Sequence, residues 1–217
     1  RRQNGQTALM LACIEGHEQV AERLIAVGAD VNVQDEEGRT ALMLACIEGH
    51  GEVVQRLFAG GVNVNVEDKN GQTALMLACI EGHEQVAERM IAVGADVNVQ
   101  DEKGRTALML TCVGGHREVV QRLLATGADV SVQDKDGQTA LLLASIAGHE
   151  EVVQRLIAIG ANVNVQDKDG QTALMLASME GHGAVAGRLI SAGANVNAQD
   201  KDGQTALMLA SIEGHRE

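Results

Sequence analysis

The chain has 217 residues, a formal net charge of -13, 45% apolar residues, a single aromatic residue (Phe58) and no proline. No run of Lys and Arg offers the clustered cations that hold a phosphate backbone, and no aromatic platform can stack a base, so nucleic acid is not expected as a partner. No apolar stretch approaches the roughly 18 residues a membrane span needs and no signal peptide opens the chain, so no membrane role is expected either.

Gly5 returns at Gly38, Gly71, Gly104, Gly137, Gly170 and Gly203, each 33 residues after the last, with no insertion or deletion. A strict period of this size marks a stacked array in which each unit packs only on its neighbours. It overrides length as a guide to domain number. The expectation is one array over 1–217, with units near 2–34, 35–67, 68–100, 101–133, 134–166 and 167–199 and a partial seventh at 200–217. Residues Gly5 to Asp35 and Gly71 to Asp101 differ only at Leu24 versus Met90, which points to duplication of a two-unit block.

Each unit reads alike, and the third serves for all. Asp68-Lys69-Asn70-Gly71 is a tight turn. Thr73 is placed to cap a first helix that runs roughly to Glu81, with Leu75, Leu77 and Ala78 facing inward. Gly82-His83 breaks it. A second helix near Glu84 to Val93 carries Val86, Ala87, Met90 and Ile91 at helical spacing, and Gly94 is placed as a left-handed cap. Ala95 to Val99 is expected to extend toward the next turn.

Glycine followed by x-Thr-Ala-Leu, then Gly-His, a Val/Ala-rich helix and Gly-Ala-Asp/Asn-Val-Asn runs through six units, with departures only at Val62 and Ser131 in the last element. This resembles the ankyrin repeat over essentially the whole chain. The resemblance implies an all-α solenoid of stacked helix-turn-helix units with hairpin-like loops. It also implies partner binding on a concave face made by turn tips and inner helices. The family pattern Thr-Pro-Leu-His is Thr-Ala-Leu-Met here, or Thr-Ala-Leu-Leu at 139–142. The missing Pro forfeits about 0.4–1 kcal/mol per site, and Met10, Met43, Met76, Met109, Met175 and Met208 are expected to fill space without the hydrogen bond a histidine makes.

Cys13, Cys46, Cys79 and Cys112 share one repeat position, which becomes Ser145, Ser178 and Ser211. Stacked helices place equivalent atoms about 10 Å apart, and a disulfide needs Cα atoms within about 7 Å. Buried free thiols follow, in keeping with a reducing, intracellular and cytoplasmic location. The seven histidines, one per Gly-His turn, are too far apart to share an ion, and His83-Glu84 reaches Ala87 where a second metal ligand belongs. Calcium fails at the acidic turns, because Val132 and Leu143 fall at the first and twelfth loop positions. No phosphate-binding, nucleophile-elbow or Cys-x-x-Cys motif occurs, so neither an enzyme nor a cofactor is expected.

What remains is surface. Carried over residue by residue, the concave face begins with helix-end pairs that include Ile47/Glu48, Ile80/Glu81, Val113, Ile146 and Met179. The turn tips add Arg39, Lys69, Lys103, Arg105 and Lys135. An aliphatic stripe rimmed by charge marks an interaction site; the competing reading is that each Ile packs under the neighbouring turn. The expected function is a non-catalytic protein–protein interaction scaffold. The alternatives are a structural spacer or spring from a longer array, and an engineered scaffold. Neither end shows a polar-faced capping unit, so head-to-tail self-association is also expected.

Overall fold

The computed structural model describes residues 4–215. Contacts divide the chain into two compact units, Arg1–Glu102 and Lys103–Glu217. Both are all-α. The first holds α1 (Ala8–Ile14), α2 (Glu18–Ala26), α3 (Ala41–Ile47), α4 (Gly51–Ala59), α5 (Ala74–Ile80) and α6 (Glu84–Ala92). The second holds α7 (Ala107–Gly114), α8 (Arg117–Ala125), α9 (Ala140–Ile146), α10 (Glu150–Ala158), α11 (Ala173–Met179), α12 (Gly183–Ser191) and α13 (Ala206–Ile212). Among the described residues the only β pairing is an isolated bridge between Gln166 and Thr172.

The odd-numbered helices start where a threonine caps them. Thr73 Oγ1 accepts the Met76 N–H at 3.4 Å, and Thr40 accepts that of Met43 at 3.3 Å. One expectation needs correcting. The methionine is not a mere filler: the Thr7, Thr40 and Thr172 N–H groups donate to Met10, Met43 and Met175 Sδ at 3.4–3.5 Å. A thioether is a weak acceptor, so the reciprocal capping box survives in a softer form. The loop after Gly94 also departs from a simple extended run. Val97 and Asn98 turn, with the Asn98 N–H donating to Asp96 Oδ1 at 2.9 Å.

The inner helices are apolar nearly all round, and that sets the layering. In α5 every residue from Ala74 to Cys79 is buried, leaving Ile80. In the first unit α1, α3 and α5 pack side by side, and α7, α9, α11 and α13 do so in the second. The even-numbered helices are amphipathic and bury one face against this layer, Val86, Ala87, Met90 and Ile91 in α6. Small and aliphatic side chains suffice because the helices approach closely, which is why the chain manages with Phe58 as its one aromatic.

The four cysteines are free and buried. Burial pushes the Cys13 thiol from an ordinary value of 9.0 up to about 12. Burial raises Cys46 as well, with Cys79 and then Cys13 adding to it. Between these limits the folded state holds thiol protons that the unfolded chain releases, so stability falls as pH rises above 9.0. No tyrosine is present to titrate in the same window. The unfolding free energy from urea titrations should fall from about pH 9 to pH 10.5 by up to about 1.4 kcal/mol per thiol per pH unit, with a pH 8 titration as the baseline. Replacing all four cysteines with serine, the residue found at Ser145, should flatten that slope. An unchanged slope would assign it to other groups.

Candidate interaction surface

Within each compact unit, two series of hydrogen bonds fix a helix pair to the one before it. At the turn tips Asp68 Oδ1 accepts the Asn70 and Gln72 N–H groups at 2.8 and 2.9 Å, closing an Asx-type turn. The same pattern recurs at Asp35, Asp134, Asp167 and Asp200. Successive tips then join through one backbone rung each. The Lys69 N–H donates to Glu37 O at 3.0 Å and the Glu102 N–H to Asn70 O at 2.8 Å; in the second unit the Lys135 N–H donates to Lys103 O at 2.8 Å. Gly71 has to be glycine here. Its φ is +72°, and a Cβ would lie 2.9 Å from the Glu102 nitrogen.

The second series belongs to the Gly-His turns. His83 Nε2 lies 2.9 Å from Ile47 O, the last carbonyl of α3. A carbonyl only accepts, so the proton sits on Nε2 and the ring donates. The bond repeats from His50 to Ile14 O, His149 to Val113 O, His182 to Ile146 O and His215 to Met179 O, at 2.9–3.0 Å. Each ring rests on the preceding unit's turn glycine; a Cβ on Gly49 would come within 2.6 Å of His83. Ile47, Val113, Ile146 and Met179 of the expected site are therefore residues whose carbonyls the next histidine holds.

The side chains at those ends differ in cover. Ile47, Ile146 and Met179 are half-buried, so the expectation of an aliphatic side chain exposed at every inner helix needs correcting in favour of the competing packing reading. Ile80 and Val113 are 42% and 53% exposed. Glu48 and Glu81 are exposed beside the stripe. Lys69, Lys103 and Lys135 are exposed at the tips, while Arg39 and Arg105 are half-buried. Arg39 is already engaged: its Nε and Nη2 donate to Asp35 Oδ2 at 3.1 and 2.9 Å, so it braces its own turn. The tips precede each inner helix and the helix-end pairs follow it. Seven residues, about 10 Å of helix, separate the two sets in α3 and α5.

The even-numbered helices carry a feature that a unit-by-unit reading of the sequence overlooks. Arg56 on α4 reaches back to Glu18 on α2 at 2.7 Å and to Glu22 at 3.4 Å. Arg89 on α6 reaches Glu52 on α4 at 3.0 Å, and Arg188 on α12 reaches Glu150 on α10 at 2.9 Å. Arg117 pairs with Glu151. The hydrogen bond that Arg56 donates to Glu18, then the Glu22 charge, raise the Arg56 guanidinium above its usual value. These pairs are solvent-exposed and add little stability, but they occupy Arg56, Arg89, Arg117 and Arg188. Among the described residues no group of three or more His, Cys, Asp or Glu could hold a metal ion. Among them, too, no helix is long and apolar enough to cross a membrane.

A family model of ankyrin repeats in three copies matches residues 1–68, 49–134, 86–167, 126–200 and 151–217. The chain belongs to the ankyrin-repeat family. It is similar to the crystal structure of the ankyrin repeat domain of Bcl-3, described as a unique member of the IkappaB protein family. The two are 31% identical, with 96% of this chain and 95% of that one covered at a TM-score of 0.82. It is also similar to the human ASB11 ankyrin repeat domain, at 27% identity, covering 94% of this chain and 92% of that one at a TM-score of 0.86. No curated protein sequence matches. Ankyrin repeats are non-enzymatic modules that bind protein partners.

The ring seat gives a controlled test. Gly49→Ala should lose the left-handed conformation, about 1–2 kcal/mol, and in addition displace the His83 ring. Gly94→Ala shares a positive φ, +87°, but meets open space. Urea denaturation should show the larger loss for Gly49→Ala. Equal losses would mean the ring does not depend on that glycine.

Proposed function

We propose that the chain is a non-catalytic protein–protein interaction scaffold that binds through its inner-helix face. The observation that carries this reading is the exposure of Ile80 and Val113 at the ends of otherwise buried inner helices. Apolar side chains left uncovered beside charged neighbours favour association. Exposed Glu81 follows Ile80 in the chain, and Lys69, Lys103 and Lys135 are exposed at the tips. Arg39 and Arg105 contribute less, since Arg39 is held by Asp35. The face is built from short capped helices and hydrogen-bonded tips, so binding carries little ordering cost. It lacks the Trp and Tyr that dominate binding hot spots, and affinity then rests on shape, aliphatic contact and charge.

The test is affinity capture from cell lysate on the immobilised chain beside an Ile80→Gln/Val113→Gln variant, which changes apolar contact without changing charge. A protein retained by the parent and lost by the variant, with the variant's thermal midpoint within a few degrees, supports the reading. A partner retained equally by both overturns it. Retention of further copies of the chain alone would favour self-association, a reading that rests on exposed Leu207, Met208 and Ile212 of α13.

A further inference from the structure

We propose that the inner-helix face of the first unit docks an extended basic segment of a partner protein, one with a Lys or Arg at about every third residue. The inference rests on the inner-helix face being the interaction surface and names the chemistry that surface takes.

Charge is not spread evenly along the chain. Residues 1–102 hold seventeen Asp and Glu against seven Lys and Arg, a net of -10; residues 103–217 hold thirteen against ten, a net of -3. Within the first unit the described arginines are largely spent elsewhere. Arg56 pairs with Glu18 and Glu22, Arg89 with Glu52, and Arg39 with Asp35. These pairs leave Glu15, Glu48 and Glu81, all exposed and in no ion pair among the described residues, at the C-caps of α1, α3 and α5. The second unit breaks this row, with Gly114 and Ala147 at the corresponding positions of α7 and α9.

The row is regular because its surroundings are. His50 and His83 hold the ends of α1 and α3 through the same bond to Ile14 O and Ile47 O, one unit apart. Packed helices lie about 8–10 Å from one another. A polyproline-II segment advances about 3.1 Å per residue with three residues per turn, so side chains at every third position fall on one side about 9 Å apart. That step matches the glutamates, whereas a β-strand would present every third side chain to alternating faces. Ile80, 42% exposed beside Glu81, and the half-buried Ile14 and Ile47 offer aliphatic contact to the residues between the cations. A helix at this site would space its side chains differently, and an acidic partner would meet only repulsion.

The probes are synthetic, fluorescein-labelled peptides of about 12 residues, enough for four polyproline-II turns. One repeats Lys-Pro-Leu, one gathers the same lysines at one end, and one replaces Lys with Glu. Anisotropy titrations of the whole chain should show the repeated peptide binding about tenfold tighter than the gathered one. The Glu peptide should not bind, and added salt should weaken the interaction. Glu15→Gln/Glu48→Gln/Glu81→Gln should lose about tenfold or more. Glu67→Gln/Glu88→Gln/Glu118→Gln, which removes the same charge from other exposed or outer positions, should bind as the parent does. Equal loss in both variants, or no preference for the repeated peptide, overturns the inference. If a lysate partner is lost by Ile80→Gln/Val113→Gln yet kept by the triple glutamine variant, the interaction face stands and the basic segment falls.

Discussion

The hydrogen bond from a Gly-His turn to the last carbonyl of the preceding inner helix is the contact on which the rest depends. A seven-residue helix leaves unpaired carbonyls at its end, and such a helix is too short to persist alone in water. The next unit's histidine supplies one missing donor, as His83 does for Ile47 at 2.9 Å. The turn glycine makes room for the ring. The bond therefore does two jobs at once: it completes a helix and fixes where the next one begins. Because it recurs at the same place in successive units, it also holds the helix-end side chains in one row.

Function follows from what that locking leaves outside. Core positions are consumed by packing, and Arg56, Arg89 and Arg188 on the even-numbered helices are engaged by glutamates one repeat back. The tips are tied by backbone rungs, and Arg39 is tied to Asp35. What remains at the inner-helix ends is aliphatic side chain in part exposed, as at Ile80, which stands beside Glu81. A surface so fixed changes little on binding, and its selectivity depends on the spacing and charge of what it meets. Ankyrin repeats bind protein partners in general, and the partner segment proposed here is apolar and cationic.

Much of this was legible in the sequence, and the division has a physical cause. Local signals read well. The 33-residue period, threonine caps, turn glycines and buried cysteines depend on neighbours within a few residues, and the resemblance to ankyrin repeats supplied the stacking. Contacts across units were harder. His83 bonds to Ile47, 36 residues back, and Arg56 to Glu18, 38 residues back. Neither offset equals the period, because the partner sits a turn further along the stack. A search for complementary groups at the period plus three to five residues would have found both. The half-burial of Ile47, Ile146 and Met179 needed three-dimensional overlap and carried no sequence signal. The thioether caps were missed because methionine is seldom considered an acceptor.

The most direct measurement is native-state amide hydrogen exchange on the parent chain and on His83→Ala. If the histidine bond holds each helix end, protection should fall first at Cys46 and Ile47 at the end of α3 and across the Gly82–His83 turn, with α1 and α2 unchanged. Uniform loss of protection across the first unit, or unchanged exchange at the end of α3, would contradict the account.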